Sequence, residues 1–133
     1  QQASFLAGFK AQKFIFEDHN QIQHIAFCFN QPRKSENIKF HISGSDFELL
    51  TSNKFSQLLE QIQFLSQNGG IIIFMQSEKS NAAQFKNYGI GAQILRFFKV
   101  EEVHLMSQNC DKDFIALKGF GLDIKTCQFK NLL

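Results

Sequence analysis

Tryptophan is missing from these 133 residues and tyrosine occurs once, so the aromatic mass of any core falls on 17 phenylalanines. Charge of one sign is missing as well. Fourteen basic and 12 acidic side chains leave a formal net charge of +2. Without a clustered basic face, nucleic acid is not an expected partner. The densest positive stretch, QPRKSENIK, reads as a solvated loop. Cysteine is sparse: Cys28, Cys110 and Cys127 form neither a CxxC pair nor an even framework. They are expected to be buried free thiols in a reducing, cytoplasmic compartment. The longest apolar run, IIIFM, is far too short to span a bilayer, so no membrane partner is expected. No charged-then-apolar leader opens the chain, which argues against secretion. The first residue is Gln1, not Met, which suggests a piece of a longer polypeptide.

What is present fits one folded domain over residues 1–133, with 44% hydrophobic and 20% charged residues. KFIFED and IQHIAFCFN flank the polar turn HNQ and predict an antiparallel hairpin. NIKFHIS alternates polar and apolar residues and predicts a third strand. Phe55, Leu58, Leu59, Ile62 and Leu65 recur at helical spacing, and NGG ends that helix through glycine's access to positive φ. The run GIIIFMQ has the signature of a strand covered on both faces. A helix over 90–98, a strand EVHLMS, a polar loop and a last strand GLDIKTCQF complete the reading. Alternating strands and helices require a parallel crossover, hence an α/β (α+β) fold with a mixed β-sheet flanked by helices.

Gly89 and Gly91 form a GxG, but Ile94 stands where a dinucleotide fingerprint needs its third glycine. They are expected to ease the chain into a helix packed on the sheet; a helix start there could also hold an anion. His19, His24, His41 and His104 show no i, i+4 pair and no cysteine neighbour, so no zinc site follows from their spacing. Ser43, Ser45, Asp46 and Glu48 in SGSDFELL read as a turn followed by an exposed edge.

Taken together, NYGIGAQILRFFKVEEVHLMS and ALKGFGLDI resemble the C-terminal half of GTP cyclohydrolase II, whose corresponding runs are R-D-Y-G-I-G-A-Q-I-L, L-L-T-N-N-P-x-K and L-x-G-Y-G-L-E-I. Residues 88–95 match without a break, and Gly119, Gly121, Leu122 and Ile124 match the closing run. Upstream, QHIAFCF and IKFHIS resemble the family strands H-x-A-L-V and V-R-V-H-S more faintly. The resemblance implies a shortened form of that family's fold. It would also imply a zinc ion, held by three cysteines, that activates the water expelling the imidazole carbon of GTP as formate.

The departures bear on function. After His41 the sequence ISGSDFELLTSNKFSQ holds no cysteine. Without zinc that water keeps its ordinary, far higher pKa and loses its nucleophilic form at neutral pH. Phe40, Phe47, Phe55 and Phe64 are candidates to replace the missing metal by packing. Of the family's R-Q-E-G-R-G-I-G-L motif only Glu78 is recognisable, and KSNAA leads directly to QFKNYG. Gln84 and Lys86 stand where the family carries a catalytic Asp and Arg; an amide is no base, and lysine lacks the planar fork. Ser107 and Lys112 keep the places of the family's nucleotide-contacting Thr and Lys.

The resemblance therefore implies a non-catalytic domain with no cofactor. It would be a structural, dimerising or regulatory appendage to a 3,4-dihydroxy-2-butanone 4-phosphate synthase, the N-terminal half of such a fusion in many bacteria, and a homodimer is compatible with it. The competing expectation is a residual phosphate site, or a rebuilt enzyme, around Lys86, Ser107 and Lys112.

Overall fold

The computed structural model describes residues 2–42, 44–76, 81–107 and 110–128. Strands β1 (Gln2–Leu6), β2 (Phe9–Glu17), β3 (Gln23–Cys28), β4 (Ser35–Ile42), β5 (Ile71–Met75), β6 (Glu102–Met106) and β7 (Asp123–Gln128) form one sheet in the order β1-β2-β3-β5-β4-β6-β7. The β1/β2, β2/β3 and β3/β5 pairs are antiparallel, while β5/β4, β4/β6 and β6/β7 are parallel. The mixed α/β reading holds.

Helices α1 (Asp46–Thr51) and α2 (Lys54–Asn68) lead from β4 to β5, α3 (Asn81–Phe97) from β5 to β6, and α4 (Cys110–Lys118) from β6 to β7. Leu58, Ile62 and Leu65 of α2 pack with Phe27, Ile72 and Met106 on one face of the sheet. On the other, Ile94, Leu95 and Phe98 and Leu117 of α4 pack with Ala26, Ile38, Ile73 and Leu105. β5 alternates between the two layers, with Ile71, Ile72 and Ile73 all fully buried, as its continuous apolar run requires. At the end of α2, Gly69 (φ 87°) donates its N–H to the Leu65 carbonyl at 2.8 Å. A Cβ on Gly70 would lie 2.4 Å from Leu65 Cδ2 and 2.5 Å from the Asn37 carbonyl, so no larger residue fits.

Several expectations need correcting. Helix α3 begins at Asn81, so Gly89 and Gly91 lie within it and are not its entry. Its N-terminal N–H groups are therefore not at the GxG, and the anion site imagined there does not exist. Close approach explains the glycines instead: a Cβ on Gly91 would meet Phe40 Cε1 at 2.7 Å. The polar loop after β6 is α4, with Asp111 and Asp113 in its first turn and Lys118 in its last, as the helix dipole favours. Within SGSDFELL, Asp46 to Leu50 lie in α1, capped by Ser45, whose Oγ accepts the Glu48 N–H at 3.1 Å. Finally, Cys110 and Cys127 are joined in a disulfide, because α4 brings its first residue within 5.7 Å (Cα–Cα) of β7. Cys28 is a buried free thiol, and burial followed by the Glu36 charge pushes its pKa up to about 12.

The phenylalanines divide. Phe40 and Phe64 pack against the two core layers, whereas Phe47 is 78% exposed and Phe55 41%. The last two therefore do not supply the packing expected of them. QPRKSENIK is loop only at its start: Arg33 is exposed, but β4 begins at Ser35. Glu36 there is 1% exposed and accepts from the Arg33 backbone at 2.7 Å, Arg33 Nη2 at 3.0 Å and Asn30 Nδ2 at 2.9 Å. No helix among the described residues is long and apolar enough to cross a membrane.

Candidate functional site

From β4 the chain steps to β5 on one side, then crosses back through α3 to β6 on the other. In α/β sheets such a reversal marks the carboxyl ends of the parallel strands as the place where ligands are held, which makes this end of the sheet a candidate crevice. Ser107 directly follows β6 and is 7% exposed. Its Oγ donates to Asp113 Oδ2 in the first turn of α4, and the Tyr88 hydroxyl of α3 donates to Asp113 Oδ1. One carboxylate thus ties α3, α4 and the end of β6 together. Burial, reinforced by the bond to Asp113, raises the Tyr88 phenol above its usual pKa. On β4, burial lowers the half-buried Lys39 ammonium, and the Asp113 charge opposes that shift.

Ser107 accordingly stands at this candidate crevice, directly after β6. Lys86 and Lys112 belong to α3 and α4, but their side chains, like that of Gln84, lie outside the described residues, as do Glu78 and Ser43. Asp113 and the hydroxyl of Tyr88 escaped the sequence reading. The lone tyrosine in a phenylalanine-rich chain was an available signal, because a buried phenol needs a partner for its O–H.

The corner after His41, where the resemblance to GTP cyclohydrolase II would put a zinc ion, holds a different set of side chains. Here α1 borders a cavity of about 220 Å³ lined by His41, Ser45, Glu48, Lys54 and Phe74 among others. Burial, then the Lys39 and Lys54 charges, lowers the His41 pKa. Glu48 is paired with Lys54. Among the described residues no three His, Cys, Asp or Glu side chains cluster. One imidazole and a lysine-bound carboxylate do not fit a zinc ion that three thiolates would hold.

The remaining histidines stand apart. His104 bonds Ser35 Oγ at 3.1 Å and Thr126 Oγ1 at 3.0 Å. His24 is 1% exposed, with Nε2 3.0 Å from Asp18 Oδ2 and Nδ1 buried without a partner among the described residues. Asp18 also accepts the Asn20 and Ile22 N–H groups, at 2.8 and 3.1 Å. The His24 bond and these two N–H groups outweigh burial and hold the Asp18 carboxyl at about 2.

Comparison with known proteins fits this layout. Residues 77–128 match the sequence model of GTP cyclohydrolase II. The chain is 72% identical over 126 residues to the 3,4-dihydroxy-2-butanone 4-phosphate synthase of Campylobacter jejuni, covering 95% of this chain and 37% of that protein. For the synthase of the same name from Sulfurospirillum multivorans the identity is 36% over 118 residues, covering 88% and 33%. Riboflavin biosynthesis protein RibBA of Staphylococcus aureus is 26% identical over 111 residues, covering 62% and 28%. The chain spans about a third of the length of the first two relatives. It is similar to part of proteins named 3,4-dihydroxy-2-butanone 4-phosphate synthase, and its residues 77–128 are similar to GTP cyclohydrolase II.

Proposed function

We propose that this chain is a cyclohydrolase-II-like portion of a riboflavin-biosynthesis protein that no longer carries out the cyclohydrolase reaction and serves its synthase as a structural, dimerising or regulatory part. The carrying observation is the corner after His41, where α1 and a lysine-bound Glu48 stand in place of a cysteine-ligated metal. A metal-activated hydroxide has no source there. Gln84 and Lys86 further support the reading, since neither reproduces the Asp and Arg of the family. The synthase activity itself is proposed for the longer protein, on the printed names of relatives that this chain covers by about a third.

Two assays test this. The chain incubated with GTP and added zinc should release no more formate than boiled protein, and turnover above that level refutes the reading. The full-length protein should form 3,4-dihydroxy-2-butanone 4-phosphate while this chain alone does not. Product from the chain alone would place the synthase here instead.

A further inference from the structure

The candidate crevice at the end of β6 brings together two hydroxyl donors, from Tyr88 and Ser107, and both donate to one acceptor. That acceptor is a side chain of the protein, not a ligand. Each hydroxyl carries a single proton, and an ionised carboxylate accepts only, so donation to Asp113 uses up what these groups can offer an incoming anion. The Lys39 ammonium, the cation on the neighbouring strand, already lies in the field of the same carboxylate. A phosphate entering here would lose both hydroxyl donors and face a like charge within a few ångströms.

We propose that the Asp113 carboxylate is the resident anion of this crevice, occupying the Tyr88 and Ser107 donors and excluding phosphate-bearing ligands. Asp113 then determines specificity by occupation. Its two oxygens take the places that two oxygens of a phosphate would take, and it ties α4 to α3 while doing so. This deepens the functional reading above, and it rests on the resemblance that puts Ser107 in the place of a nucleotide-contacting Thr.

The probe is inorganic phosphate, titrated against a chloride control of equal ionic strength. The parent protein should show no saturable shift in the resonances of Tyr88 and Ser107. Asp113→Asn, which keeps the shape and removes the charge, should bind phosphate at least about tenfold more tightly than the parent. Adding Ser107→Ala to that variant should abolish the gain. Saturable phosphate binding to the parent at these residues overturns the proposal, as does a folded Asp113→Asn with no gain. Should Asp113→Asn not fold, the parent titration decides alone. The formate assay is independent of this: turnover there would refute the functional reading, whereas phosphate binding without turnover would refute only the role of Asp113.

Discussion

Gly91 and Gly89 sit two residues apart in α3, yet they face different neighbours. At Gly91 an added Cβ meets the Phe40 ring at 2.7 Å, whereas at Gly89 it meets Phe120 Cζ at 3.4 Å, an ordinary contact. Gly91→Ala should therefore destabilise by about 1–3 kcal/mol through overpacking, despite better helix propensity. Gly89→Ala should raise stability by about 0.5–1 kcal/mol, the usual gain over glycine inside a helix. Urea unfolding of the two variants beside the parent checks both signs, and equal losses would mean that the glycines serve something other than packing. Asp18 makes a second prediction at this scale. Its carboxyl is held at about 2 against an ordinary 3.8, so the charged form is favoured by folding. That contribution is fully present above the ordinary value and is lost as pH falls through about 2. Unfolding midpoints should therefore decline with acid across this window. Asp18→Asn should flatten the decline, and an unchanged acid slope would show that the Asp18 carboxylate contributes nothing to it.

Among the elements, α1 and β5 mark the extremes. α1 has no buried residue, and Phe47 and Leu50 are 78% and 66% exposed. In β5, Ile71, Ile72 and Ile73 are fully buried between the two helical layers. Amide hydrogen exchange should show α1 opening locally at little cost, while β5 exchanges only through global unfolding. Comparable protection in the two would contradict the burial pattern. The same contrast explains what could be read from sequence. β5 and α2 were legible because each carries a strong apolar period, and the β2/β3 hairpin because a polar turn divides two β-rich runs. α1 and α4 are short and lack an apolar stripe, so they read as turn and loop. The first half of α3 was hidden by its glycines, which look like punctuation until Phe40 is seen against Gly91. Asp113 could not be found for a related reason: its meaning depends on α4, which brings it to Ser107 and Tyr88.

At the scale of the whole molecule, the sheet joins two architectures: an antiparallel part formed by β1, β2 and β3, and a parallel part from β5 through β7. Phe14 and Phe16 of β2 reach across to Phe98, at 4.9 and 5.7 Å between ring centroids, so the antiparallel part is tied to the end of α3. The candidate crevice lies wholly in the parallel part, where the topology reverses. The Cys110–Cys127 bond adds something that neither packing nor hydrogen bonding supplies. It closes the backbone from α4 to β7 into a covalent ring that includes the turn at residues 119–122. A protease that cuts this turn would not sever the chain. The nicked protein would stay one molecule, heavier by a single water, and would part into two pieces only after a reductant opened the bridge.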